Sequence, residues 1–179
     1  MTTHDPSPDS SPRSTSSHDS VSSRGADSAP SLPGDARFRP GCRLKTDAEL
    51  QEFLTQLLRG ASRRQVWVFM LDDQHRVVEP IMPFEDLTAD PRELIEVEDL
   101  GLVAAPKLYA DRIAFVCELM GATSFAVVWE RQGGDRFTRR DLAWASDFAD
   151  EAARLPVRLR AQFLLHSTGL RQLTTDDYA

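Results

Sequence analysis

The feature that most constrains the fold is the run Val66-Trp67-Val68-Phe69-Met70-Leu71. Six consecutive apolar side chains send bulky groups to both sides of an extended chain, so the run predicts an inner strand covered on each face. It is too short for a buried helix and far below the roughly 20 residues that cross a bilayer. It is also the longest unbroken apolar run in the 179 residues. The start MTTHDPSPDS lacks the apolar core of a signal peptide, so a cytoplasmic location without membrane contact is expected. After the run, the polar tetrad Asp72-Asp73-Gln74-His75 predicts a turn, and Arg76 to Met82 returns as a second strand. Pro80 removes an amide donor there and favours an edge strand or a strand end.

Other elements follow from periodicity and caps. Residues 1–40 contain eleven serines and six prolines. They have almost no large apolar side chains before Phe38, so they are expected to form a disordered tail ahead of a single domain over residues 41–179. Thr46 and Glu49 make a capping box for a helix carrying Leu50, Phe53, Leu54, Leu57 and Leu58, with Gly60 as its left-handed stop. Asp90-Pro91-Arg92-Glu93 predicts a short helix with Leu94 and Val97 on its inner side. Pro106 to Gly121 predicts a longer one, with Tyr109, Ile113, Val116, Cys117 and Met120 on one face.

A strand is expected from Thr123 to Trp129, in which Trp129 alternates with Phe125 and Val127 as a core wall. Thr138 and Asp141 frame a further helix with Leu142, Ala145, Phe148, Ala149 and Ala152 inward, stopped by Leu155-Pro156. Val157 to Leu165 then alternates as a last strand with one buried and one largely polar face. The order α-ββ-α-β-α-β predicts an α/β fold, a mixed sheet sandwiched between helices with right-handed crossovers.

Charge and cysteine usage narrow the function classes. The 28 acidic residues outweigh 21 basic ones, giving a net charge of −7 and no basic stripe, so nucleic acid is not an expected partner. Cys42 and Cys117 stand in no CxxC or metal-ligand spacing and read as free thiols, Cys117 within an apolar helix face where a thiol is unreactive. Asp72-Asp73 and Asp176-Asp177 fall in a turn and near the C-terminus, where carboxylates are hydrated and do not work as a general acid and base. Neither a GxSxG elbow nor a phosphate-cradling glycine motif is present.

The hairpin residues Phe69 to Val78, followed by Ala126-Val127-Val128, Gly133-Gly134-Asp135 and Thr138-Arg139-Arg140-Asp141, resemble the JAB domain of RadC-type proteins. The resemblance covers about residues 64–166 and implies a JAB-like fold. Metalloenzymes of that family hold zinc through a His-x-His pair and the helix-start aspartate, with an upstream glutamate handling protons. The corresponding positions here are Val128, Glu130 and Asp141, with the glutamate's place near Arg64, so only Asp141 matches. The chain also resembles a family of high-GC Gram-positive bacteria in which the same strand, loop and helix occur without the histidines. The resemblance thus implies a metal-free scaffold with no cofactor, because a catalytic zinc needs about three suitable protein ligands.

Three functions are therefore weighed. The first is a non-catalytic interaction domain that meets a protein partner or its own copy through the hairpin at His75 or a partly exposed Trp144. The second is a metal-dependent peptidase or isopeptidase with atypical ligands drawn from Glu130, Asp141 and His166. The third is a small-anion sensor at a strand end, where Glu130, Arg131, Gly133, Gly134, Thr138, Arg140 and Asp141 would surround a ligand at a helix N-terminus.

Overall fold

The structure, a computed structural model, describes residues 41–178 apart from Asp86 and Asp99. The expected tail over residues 1–40 lies outside the described residues. Helix α1 (Asp47–Leu57) opens on the expected capping box, with the Glu49 amide donating to Thr46 Oγ1 and the Thr46 amide to Glu49. Strands β1 (Gln65–Leu71) and β2 (Val77–Phe84) form the expected antiparallel hairpin. The chain continues through β3 (Leu94–Val97), β4 (Gly101–Ala104), α2 (Ala105–Met120), β5 (Ser124–Glu130) and α3 (Arg139–Ala152). It ends in β6 (Arg158–His166), β7 (Gly169–Leu173) and the short α4 (Thr175–Tyr178).

Five strands form one mixed sheet in the order β2-β1-β5-β6-β7, parallel only between β5 and β6, with α3 as their crossover. The predicted inner strand is β1, flanked by β2 and β5. Its alternation explains the unbroken apolar run. Val66, Val68 and Met70 join Phe125, Val127 and Trp129 in a core shared with α2 and α3, while Phe69 and Leu71 join Ala126, Val128, Phe163 and Leu50 of α1 on the opposite face. The sheet is therefore sandwiched between helices, each large buried side chain contributing about 1.5–3 kcal/mol. β2 is an edge strand, as Pro80 implied, and it carries a second proline at Pro83.

Several expectations are corrected. Asp90 to Glu93 is a turn and not a helix, because the Asp90 carboxylate accepts from the Arg92 amide at 2.9 Å and closes the backbone locally. Leu94 and Val97 instead enter the β3–β4 hairpin, whose inner side chain Ile95 packs against the α2–α3 core. The element order becomes α-ββ-ββ-α-β-α-ββ-α. β6 is not the last strand and is not half polar: from Ala161 onward every residue is buried, since α1 and α3 cover it from both sides.

Gly60 does not end α1, which stops at Leu57 with Leu58 extended. Glycine is needed there because a Cβ would lie 2.9 Å from the Ser167 carbonyl oxygen. Gly121 does cap α2 in the left-handed region, at φ 68°. Met120 turns outward, while Leu108 and Ala110 take buried places on that helix.

Candidate functional site

The C-terminal end of β5 gathers most of the sequence-nominated residues. Glu130 is buried, and its carboxylate accepts five hydrogen bonds from the segment before and within β1. The donors are the Ser62 amide (2.6 Å), Ser62 Oγ (3.2 Å), the Arg63 amide (3.2 Å), Gln65 Nε2 (2.5 Å) and Trp67 Nε1 (2.7 Å). Burial alone pushes the Glu130 carboxyl upward, but the donors from Gln65, Ser62, Trp67 and Arg63 outweigh it and hold the group below its usual range. Glu130 is thus an ionised clamp fastening the approach to β1 onto β5.

Arg131, the next residue, is also buried. Its Nε donates to Asp141 Oδ2 at 2.8 Å, Nη1 to the Gln132 and Gly134 carbonyls, and Nη2 to the Arg136 carbonyl at 2.7 Å. One guanidinium therefore organises the whole loop into α3. Asp141 completes the N-terminal cap: its Oδ2 accepts the Thr138 amide at 2.8 Å while its own amide donates to Thr138 Oγ1. Gly133 sits at φ +114°, with room for a Cβ only 3.1 Å from Arg131 Nη1. Its amide donates to Ser167 Oγ at 2.9 Å, and its carbonyl accepts from the Ser167 amide. Gly134 faces open space.

These contacts occupy much of the expected anion cradle. The Gly133 amide, the Arg131 guanidinium and the α3 cap are engaged with the chain itself, and Arg140 holds the Leu87 and Thr88 carbonyls through Nη2. The space left between Arg64, Glu130, Arg131, Arg140 and Asp141 measures about 10 Å³, room for about one water. Arg64 stands at its rim with its pKa lowered, first by desolvation and then by the neighbouring Arg140 charge.

The peptidase ligand set is not assembled either. His166 closes the β6–β7 turn, its Nδ1 facing Thr168 Oγ1 at 3.3 Å and its ring lying over Gly169. Among the described residues no three His, Cys, Asp or Glu side chains come close enough to hold a metal ion. Val128, at the first position of the family's His-x-His, is packed in the core against α1. Cys117 is buried, and desolvation pushes its thiol up to about 11, so it is a thiol and not a nucleophilic thiolate near neutral pH.

The two contact candidates fare differently from their expectations. Trp144 is only 2% exposed; its ring packs against Trp129 and Tyr109, and its Nε1 donates to the Thr88 carbonyl. It faces the core because α3 is rotated relative to the expected inward face, placing Trp144 and Asp141 inside and leaving Leu142 half-buried. His75 is half-buried and adopts φ 62°, which closes the β1–β2 turn around the Asp72 carboxylate.

The sequence reading passed over the exposed apolar side chains of α2 and the second hairpin. Phe115 and Leu119, one helical turn apart, are 67% and 72% exposed, and Leu102 of β4 is 67% exposed. Leu94 and Leu100 are exposed too. No family model matches the chain, and no curated protein matches it either. Among the described residues no helix is long and apolar enough to cross a membrane.

Proposed function

We propose that the chain is a non-catalytic protein-interaction domain, a metal-free relative of JAB domains, that pairs with a second copy of itself through the outer face of α2 and the adjoining β3–β4 hairpin. The observation that carries this is the exposure of Phe115 and Leu119 on α2, because apolar side chains this open mark contact surfaces when they lie close together. Leu94 and Leu102 are further exposed apolar side chains, on the outer side of a hairpin that runs directly into α2. Charge favours a copy of the chain as the occupant: exposed Arg112 and Glu118 lie on either side of Phe115, so an antiparallel α2 about a two-fold axis sets each against its opposite.

Support for the JAB relation comes from the strand, glycine loop and capped helix formed by β5, residues 131–138 and α3, in the order the resemblance implies. Support for the absence of catalysis comes from both Glu130 oxygens and Asp141 Oδ2, which are engaged with structural donors. Sedimentation equilibrium of the full chain is the test. The wild type is expected to dimerise with a Kd of about 2 µM and Phe115→Asp to stay monomeric; a wild type that is monomeric at about 200 µM, a hundredfold higher, overturns the pairing. One tightly held zinc per chain by elemental analysis overturns the metal-free assignment.

A further inference from the structure

A roomier concavity than the β5 corner lies elsewhere, along the first half of β6. β7 pairs with β6 only from Gln162 to His166, since Leu173 is opposite Gln162 and the chain then turns into α4. The turn is fixed locally, with the Thr174 amide and Oγ1 both donating to Asp177 Oδ2 at 2.8 Å. Arg158, Leu159 and Ala161 therefore pair with β5 on one side, with Arg160 skipped at an irregularity, and among the described residues the stretch meets no strand on the other. Beside this open edge runs a groove of about 550 Å³, within the range of about 300–1,000 Å³ typical of ligand sites.

The groove has a distinct chemistry. Its wall from α3 presents Ala149, Ala152 and Ala153, whose small side chains let another backbone come close to the strand. Arg158 and Arg160 line it, and no acidic residue does, in a chain whose net charge is −7. Arg158 is exposed with no ion-pair partner among the described residues. The Arg160 side chain is only 4% exposed; it reaches Asp47 at 3.1 Å and the Leu44 carbonyl, yet its Nη2 has no hydrogen-bond partner among the described residues. An unpaired strand edge offers a row of backbone donors and acceptors, and a peptide can satisfy them by adding itself as a strand.

We propose that this groove binds an extended acidic peptide segment of a partner protein, which lies antiparallel to β6 and takes the place β7 vacates. The peptide's backbone pairs with about four residues of β6, and its carboxylates meet the exposed Arg158, with the buried Arg160 adding positive charge behind it. The site goes beyond self-association and uses none of the α2 side chains.

The test is selection of a random library of 12-residue peptides on the full-length chain, followed by anisotropy titration and amide chemical-shift mapping with synthetic copies of the enriched peptides. The expected peptides are net acidic, shift the amides of Leu159 to Ala161 and of Thr174 to Tyr178, and bind Arg158→Glu at least tenfold more weakly. Phe115→Asp, the variant that separates this site from the dimer surface, is expected to bind them as the wild type does. No enrichment would mean that the arginines merely shield an edge, and it overturns the proposal. So do neutral or basic peptides, undiminished binding to Arg158→Glu, or shifts confined to α2.

Discussion

The corner built by Glu130, Arg131 and Asp141 and the outer face of α2 make opposite impressions. The corner holds buried charges at a strand end beside a glycine loop and a helix N-terminus, the residue types that catalysis and anion binding use. The α2 face holds Phe115, Leu119 and a few solvated charges. Yet in the corner the Glu130 carboxylate, the Arg131 guanidinium and the Gly133 amide already have partners within the chain, and the remaining space admits about one water. The α2 face has large apolar groups left in water. What separates a site from a strut is therefore whether its groups remain available, and residue type alone does not report that.

The sharpest way to break this contrast is Arg131→Ala. It leaves Asp141 buried without its cation and removes the donors of three loop carbonyls, so a loss of about 3–5 kcal/mol is expected. Thermal unfolding should show a midpoint lowered by about 10 °C or more; an unchanged midpoint would mean the corner is not structural.

Glu130→Gln comes next, with an expected loss of about 2 kcal/mol at neutral pH. Because the Glu130 carboxyl is held below its usual range in the folded chain, its contribution is full above the unfolded value of about 4.3 and disappears as pH falls through the lower folded value. Urea midpoints followed from pH 7 down to about pH 2.5, spanning the carboxylate range, should thus fall more steeply for the wild type than for Glu130→Gln, with the two curves converging in acid. The smallest effect belongs to the other region: Phe115→Asp should change monomer stability by no more than about 0.5 kcal/mol, as at an ordinary exposed position. A loss of several kcal/mol would show that the α2 face is core in disguise.

Local signals were readable wherever the deciding partner is close in sequence. The Thr46–Glu49 and Thr138–Asp141 boxes each span three residues and fold as expected, as does the Gly121 stop. The β1 run was readable because its composition alone demands cover on both faces. Asp90-Pro91 misled because the same carboxylate that caps a helix also closes a turn, and the choice was made by Ile95 finding the α2–α3 core. β7 was missed since Gly169-Leu170-Arg171-Gln172-Leu173 offers only two apolar residues, and its pairing with β6 supplies the rest.

The role of Glu130 was beyond the reach of local pattern: its donors at Ser62, Arg63, Gln65 and Trp67 are 63 to 68 positions away. A hint did exist in Gln65 and Gln162, polar residues placed in otherwise buried strands, which need partners inside the fold. Gln162 meets that need by accepting from Trp129 Nε1 and donating to the Ala145 carbonyl.

The two prolines of β2 reach further than that one strand. Pro80 and Pro83 put two residues without an amide donor on an outer strand of the sheet, which makes that strand a poorer template for a neighbouring molecule extending the ladder. With one rim blunted, end-over-end stacking of copies into an indefinite ribbon is disfavoured, and crowding at high concentration is steered away from fibre growth.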